Sequence, residues 1–520
     1  MIVIHNPGNL LSFSHRYNIY EKGAQMKLSE LISILPFADN PIDYQEIEIT
    51  GVEIDSRKVK PGSLFICIRG SQTDGHLYVG EAIKNGAKAL IVEENVNTEI
   101  PVIQVSDTTR ALAQIVNKFY QYPTVELPLI GVTGTNGKTT VTYLLEEIYQ
   151  TYGRKTGVIG TIQTKLEDKV YKTNNTTPDA LALQRLFKQM KEAEIEQVIM
   201  EVSSHALDIG RVYGCDFDTV IFTNLSQDHL DYHGNEWKYF YAKSLLFSRL
   251  GNTYNHKDKY AVINADDSYA NELKKMTAQS VVTYGMHNKA DIMATSIQLF
   301  SERTIFRLKT PLGTVKITSR LIGKFNIYNM LAASAAAIVN GVPLITIKQA
   351  LEHIAAVPGR FETVQAGQDY TVIVDYAHTP DALKNILETT KVLTTGNVYL
   401  VVGCGGDRDQ TKRSEMARIA VDKGDFAVFT SDNPRTEDPK NILADMTSGL
   451  NKQSANYEIE EDRKLAIEKV MSYANPGDIV VIAGKGHETY QDIAGKKLPF
   501  DDRLVARNAI LKQVQKIQQN

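Results

Sequence analysis

Residues 131–140 read GVTGTNGKTT, and their types suit one task, holding the terminal phosphates of a nucleotide. Gly134 and Gly137 permit a tight path that aims backbone N–H groups at an anion. Thr135, Asn136 and Thr140 complete the loop, Lys138 can reach the terminal phosphates, and Thr139 offers a hydroxyl to Mg²⁺. Counted from Gly131, the run fits G-x-x-x-x-G-K-[ST] with one residue to spare. The competing reading is a strand–turn–helix corner with a surface lysine. Residues 127–132 read as a strand, and 140–149 as a helix with Val141, Leu144, Leu145 and Ile148 along one face. Between them, the loop would present its anion to a helix N-terminus.

Further strand ends supply charge. Glu201, after Ile199 and Met200 in the strand-like run QVIMEVS, stands at the end of an apolar strand, where a carboxylate could hold Mg²⁺. The following strand-like run, DTVIFTN, leads into residues 228–233, which bring Asp228, His229, Asp231 and His233 together. A lone histidine at a strand end is usually a hydrogen-bonded structural residue. Two acids and two histidines beside a phosphate loop favour a functional cluster. Lys243, within YFYAKSLLF, reads on its own as a solvated helix lysine.

The elements that must position these groups need several cores. A chain of 520 residues suggests roughly three domains at ~150 residues each. Its 43% hydrophobic and 23% charged content is ordinary for a globular protein, and a net charge of −4 gives no reason to expect nucleic acid or an acidic membrane as partner. Cys67, Cys215 and Cys404 are too scattered for a disulfide framework or a zinc cluster, which fits a reducing cytoplasm. No apolar run approaches the ~18 residues of a membrane span.

Residues 1–25 lack the basic start and continuous apolar core of a secretory signal; a true start at Met26 is the preferred reading, a short leader the alternative. Residues 26–126, with short β-like runs at 48–54, 63–68, 89–92 and 102–105 and a helix over 108–120, read as a small mixed α/β domain. Pro123 and the TVELP segment read as a linker. Residues 127–356 alternate strand and helix, which predicts a mainly parallel P-loop-type sheet, interrupted at 294–318 by a more hairpin-like stretch. Residues 357–520 repeat the alternation as a Rossmann-like α/β domain, and ligands sit at the carboxyl ends of such strands.

Nine ordered motifs then resemble one family. They are GTNGKTT, NTTPD at 175–179, EVSSHALDIGR at 201–211, FTNLSQDHLDYH at 222–233, GRFE at 359–362, VDYAHTPDAL at 374–383, GCGGDRD at 403–409, SDNPRTEDP at 431–439 and AGKGHETYQ at 483–491. Together they resemble the Mur ligases, in particular the branch that adds the third amino acid of the peptidoglycan peptide. The resemblance runs from Met26 onward. It implies ATP-dependent amide-bond formation through an acyl phosphate, by a cytoplasmic monomer, on UDP-MurNAc-L-Ala-D-Glu and a diamino acid. Lys138, Glu201, His229 and Lys243 are the implied catalytic residues. Thr139 and Glu201 are implied ligands of one Mg²⁺ and His229 of a second, with Lys243 carbamylated to help hold it. His205, Asn326, Arg360 and Asp375 are implied to lie at the ATP, in addition to the loop.

For the nucleotide precursor, the resemblance implies that Ser56 contacts the UDP part and that Thr176, Thr177, Ser203 and Arg211 contact the muramoyl dipeptide. Ile209 stands where some relatives carry glutamine. Asp432, Asn433, Pro434 and Arg435 match relatives that add meso-diaminopimelate, and Arg408, Gly484 and Glu488 match the rest of that pocket. Diaminopimelate carries a distal carboxylate that lysine lacks, which Arg435 can grip through two parallel hydrogen bonds. L-lysine as the added amino acid is the alternative. A folylpolyglutamate-synthetase-like ligase should lack the DNPR and GKGHE pair, and a non-catalytic nucleotide-binding regulator should have lost Lys138, Glu201, His229 or Lys243; both motifs and all four residues are present.

Overall fold

The computed structural model describes residues 25–36, 46–70, 73–167, 169–171, 175–252, 257–300, 302–450 and 456–519. The reading of residues 1–25 as a leader thus lies, apart from residue 25, outside the described residues. The strand–helix alternation builds three main sheets in a three-domain α/β architecture. The first is a four-stranded parallel sheet of Gly51–Glu53, Ser63–Ile66, Ala87–Val92 and Val102–Gln104. The amphipathic helix Thr108–Phe119, capped by the Asp107 side chain on the Arg110 N–H, packs its apolar face into the same core as Leu64, Ile66 and Ile91.

The central sheet has eleven strands. Its middle strands Leu129–Thr133, Gln197–Glu201 and Thr219–Phe222 are buried on both faces, as near-continuous apolar runs require. They run parallel, with Glu201 opposite Val132 and Phe222 opposite Thr133, so their carboxyl ends open on one edge. The stretch expected to interrupt the sheet instead extends it. Ile292–Leu299, Thr304–Thr310 and Gly313–Ser319 pair antiparallel and join the sheet's far side through Ser280–Gly285. The helix Lys324–Val339 is apolar on nearly every side, and its buried alanines let it pack closely against Lys138–Thr151.

The third sheet places Thr371–Asp375, Ile479–Ala483, Val398–Val402 and Phe426–Phe429 side by side and parallel. Register pairs Asp375 with Ala483 and Val402 with Phe429, so the loops carrying GCGG, SDNPR and GKGHE leave the same edge. The expected linker differs in one detail. Pro123–Glu126 coil into one helical turn, with proline at its start, where the missing N–H costs nothing. Among the described residues, no helix is long and apolar enough to cross a membrane.

One buried ion pair anchors the last of these loops. Arg463 and Asp502 are fully buried and form two hydrogen bonds, Nε to Oδ1 at 2.8 Å and NH2 to Oδ2 at 2.7 Å, while NH2 also donates to the Ala483 carbonyl at 2.9 Å. Removing one partner strands the other charge in the interior. Asp502→Ala is therefore expected to destabilise the third domain by ~3–5 kcal/mol in urea unfolding, and a loss under ~1 kcal/mol would contradict this role.

Candidate active site

The central and third sheets face each other across a cleft of about 670 Å³ that both line. On the central side, the helix Lys138–Thr151 begins directly after Gly137, two residues earlier than the apolar spacing suggested. Gly134 (φ 145°) and Gly137 (φ 89°) lie in backbone regions that other residues rarely adopt. A Cβ on Gly137 would stand 2.4 Å from the Asn329 Oδ1, and one on Gly134 1.8 Å from the Thr223 hydroxyl. The loop is held by Asn224. Thr135 N–H donates to the Asn224 carbonyl at 2.9 Å, and Asn136 N–H to the Asn224 Oδ1 at 3.0 Å.

Behind the loop, Glu201 is buried, and the Thr139 hydroxyl lies 3.1 Å from both carboxylate oxygens. The Thr161 N–H and hydroxyl donate to Glu201 at 2.9 Å each. Among the described residues, Glu201 has no ion-pair partner. From the third domain, Arg360 NH2 donates to the same Thr139 oxygen at 3.2 Å, its guanidinium lying 4.4 Å from the Tyr376 ring centre. Asn136 Nδ2 donates to Asp381 Oδ2 at 3.1 Å, and Lys412 lies 3.4 Å from Asp228 Oδ1. Burial opposes the charge on Asp228, yet Lys412 beside it holds its pKa below the ordinary carboxylate value.

Two lysines share one carbonyl. Lys138 Nζ donates to Gly134 O and Thr135 O at 2.9 Å each, and Lys243 Nζ donates to Gly134 O at 2.8 Å. Lys243 is not the solvated lysine its helix position suggested: it is buried, over the Tyr239 ring at 4.4 Å. Burial, and then the Lys138 charge, drive its pKa well below the ordinary lysine value. Burial likewise pushes the His229 imidazole down to about 3, leaving it neutral near pH 7. Among the described residues, no three His, Cys, Asp or Glu side chains converge into a metal cluster. An oxygen-ligated cation that keeps substrate phosphates in its shell nonetheless fits the pair Thr139 and Glu201.

On the far wall, Arg435 sits in the left-handed region (φ 53°). Its N–H donates to Asp492 O at 3.0 Å, and NH1 to Gly406 O at 2.5 Å. Asn433 Nδ2 donates to Glu488 Oε2 at 2.8 Å, and Lys485 Nζ donates to Asn433 Oδ1 at 2.9 Å and to Glu488 Oε2 at 2.8 Å. Asp432 is buried, and its Oδ2 is without a hydrogen bond among the described residues.

Of the residues singled out from sequence, Thr135 to Thr140, Thr176, Glu201, Ser203, His229, Arg360, Asp375, Arg408, Asp432, Asn433, Arg435, Gly484 and Glu488 line the cleft. Asp375 does so while its Oδ2 accepts the Phe361 N–H at 2.6 Å. Others stand behind it. Thr177 is buried, its hydroxyl spent on the Glu201 carbonyl at 2.9 Å, and Arg211 is turned onto the Thr177 carbonyl at 2.9 Å. His205 packs among His229, Tyr232 and His233, and Pro434 is no part of the lining. Asn326 is buried with its amide donating to Ile322 O at 2.8 Å; Asn329, one turn on, is the asparagine in the cleft wall. Ser56 lines a different cavity, with Arg57, Asp179 and Arg185, where its hydroxyl donates to Glu81 at 2.5 Å. Asn329, Lys412 and Lys485 were not found from sequence. An asparagine or lysine in a helix or loop carries no signal of burial.

Comparison with known proteins places the fold in a family. The Mur ligase middle domain matches residues 132–337, the Mur ligase glutamate ligase domain residues 359–486, and the catalytic domain of the Mur ligase family residues 48–120. The chain belongs to the Mur ligase family. Within that family it is similar to a UDP-N-acetylmuramoyl-L-alanyl-D-glutamate--2,6-diaminopimelate ligase of Oceanobacillus iheyensis, with 56% identity over 488 residues, 93% of this chain and 99% of the relative. A solved structure of a ligase of the same name is 34% identical with a TM-score of 0.68, covering 94% of this chain and 99% of that one. MurF from Thermotoga maritima, solved in complex with ADP, shares the fold at 18% identity and a TM-score of 0.63, over 89% of this chain and 98% of its own.

The histidine cluster makes stability depend on pH. His233 is buried with Nε2 3.0 Å from the Ser204 hydroxyl, and burial, then His205, lowers its pKa to about 4. The folded form therefore resists a proton that the unfolded chain takes up near the ordinary value of 6.5. This contribution is complete above pH 6.5 and is lost as pH falls through about 4. The melting temperature should fall over that window, and less steeply in His233→Gln; equal slopes would contradict the assignment.

Proposed function

We propose that this chain is the ATP-dependent ligase that joins meso-diaminopimelate to the D-glutamate of UDP-MurNAc-L-Ala-D-Glu, releasing ADP and phosphate, as a cytoplasmic monomer in peptidoglycan precursor synthesis. One observation carries the reading: the phosphate loop and the Arg408, Asp432, Asn433, Arg435 and Glu488 group line the same cleft. A carboxylate activated at the loop therefore faces an amine held on the opposite wall.

A D-glutamate carboxylate oxygen attacks the γ-phosphorus, and the bond to the bridging oxygen breaks to release ADP. The amine of the incoming amino acid then attacks the acyl carbon, loses a proton, and expels phosphate. The first step brings two anions together, so neutralising charge is the main task of the site. Lys138 moves from the loop carbonyls to the phosphates, and Arg360 lies beside Thr139 to meet them. Thr139 and Glu201, with His229 and carbamylated Lys243, would hold Mg²⁺, which when bound supplies further neutralisation of the phosphate oxygens.

Lys243 is suited to carbamylation because its amine is buried beside Lys138 and disfavours its charge. A neutral amine adds to CO₂ by forming one N–C bond and losing one proton, and the product is an anion that the Lys138 charge welcomes. The cavity around Ser56 is the place for the UDP part. Arg435 selects the distal carboxylate of diaminopimelate; in a lysine-adding site it would face the substrate's ammonium group instead.

Purified protein with ATP, Mg²⁺, UDP-MurNAc-L-Ala-D-Glu and either amino acid, followed by mass spectrometry, should yield the diaminopimelate amide in large excess. No amide with any amino acid would sink the ligase reading, and a preference for lysine would sink the role of Arg435. Lys243→Ala should lose about 100-fold or more in kcat, as when a preorganised charge is removed, and regain part of it with formate or acetate. Full activity in that variant would show that the carbamate is dispensable.

A further inference from the structure

Lys485 has no exposed surface, and the cleft lining does not include it, yet its Nζ binds two residues that do line the cleft. It lies 2.9 Å from Asn433 Oδ1 and 2.8 Å from Glu488 Oε2. Asn433 Oδ1 also accepts the Asp492 N–H at 2.9 Å, and Asn433 Nδ2 reaches Glu488 Oε2 at 2.8 Å. One ammonium thus ties the loop at 431–437 to the loop at 484–488. Glu488 Oε2 is spent on these two bonds, and its Oε1 has no hydrogen bond among the described residues. The lysine also fixes which way the Asn433 amide points. With Oδ1 committed to Lys485 and Asp492, the NH₂ group must face Glu488.

The charges of this wall make the lysine more than a brace. Arg408, Arg435 and Lys485 carry formal positive charge, and Asp432 and Glu488 negative, so the group is net positive by one. Diaminopimelate with its attacking amine neutral has two carboxylates and one ammonium, and is net negative by one. Lysine in the same state is net neutral. Without Lys485 the other four side chains would sum to zero, the balance that suits lysine rather than diaminopimelate.

We propose that Lys485 is a positioning and specificity-determining residue: it orients Asn433 and Glu488 and supplies the buried positive charge that makes the pocket favour an amino acid with a distal carboxylate over one without. The inference rests on the proposed diaminopimelate ligation.

The test is steady-state kinetics of the full-length Lys485→Met and Lys485→Arg variants with diaminopimelate and with lysine. Lys485→Met should raise KM for diaminopimelate about tenfold or more, the scale expected when one partner of a buried charge pair is lost. KM for ATP should stay within about twofold, because Lys485 does not reach the loop. The ratio of kcat/KM for diaminopimelate over lysine should fall, and Lys485→Arg, which keeps the charge, should restore that ratio at least in part. Because a stranded Glu488 can unsettle the loop, the double variant Lys485→Met/Glu488→Gln is compared with each single one. It should be no worse than the worse single variant, since the lysine acts through that carboxylate. Additive losses, an unchanged preference, or equal rises in KM for ATP and diaminopimelate would each overturn the proposal. Wild-type protein without diaminopimelate ligation would instead overturn the function on which it rests.

Discussion

The site depends on a single hydroxyl at the seam between two domains. Thr139 shares its proton between the two oxygens of buried Glu201 and accepts a hydrogen bond from Arg360 of the third domain. The loop, the strand end behind it and the opposite wall are thus joined through one oxygen atom. Asn136 with Asp381, and Lys412 with Asp228, cross the same seam on either side. Neither domain alone has both the phosphate loop and the amino-acid wall.

Electrostatics explains why this arrangement is buried. Two amines close on the Gly134 carbonyl in a desolvated pocket oppose each other's charge, and burial with the Lys138 charge holds the pKa of Lys243, the more enclosed, well below the ordinary lysine value. The histidines beside it are held neutral by the same desolvation. The cleft therefore gathers its positive charge where anions meet, at Lys138, Arg360 and the arginines of the far wall, and keeps the intervening groups uncharged.

Much of this was legible in the sequence, and the reasons are physical. A glycine-rich turn between an apolar strand and a helix can be read directly, because both elements have periodic patterns and the turn needs residues without a Cβ. Glu201 could be placed because a strand end is a fixed position in a parallel sheet. The hairpin at 294–318 was visible as alternation, but that it continues the central sheet is a matter of long-range pairing. What could not be read is the facing of a polar side chain. Asn326 and Asn329 are three residues apart on one helix, and only packing decides that the second meets the cleft. Thr177 and Arg211 look like ligands in a motif, yet the Thr177 hydroxyl and the Arg211 NH1 are turned to the backbone. Lys412 and Lys485 have the composition of surface lysines, and only the fold buries them. The carbamylation proposed for Lys243 came from resemblance alone; its side chain had no pattern that would show it to be buried beside Lys138.

The central claim is that the two halves of the cleft serve one reaction, in which the phosphate activates a carboxylate. It is tested most directly by labelling the D-glutamate carboxylate of UDP-MurNAc-L-Ala-D-Glu with ¹⁸O and weighing the inorganic phosphate released during turnover with ATP and diaminopimelate. An acyl phosphate transfers one carboxylate oxygen to phosphate for each amide formed, so the account predicts singly labelled phosphate in step with product. Unlabelled phosphate released alongside amide product would contradict it.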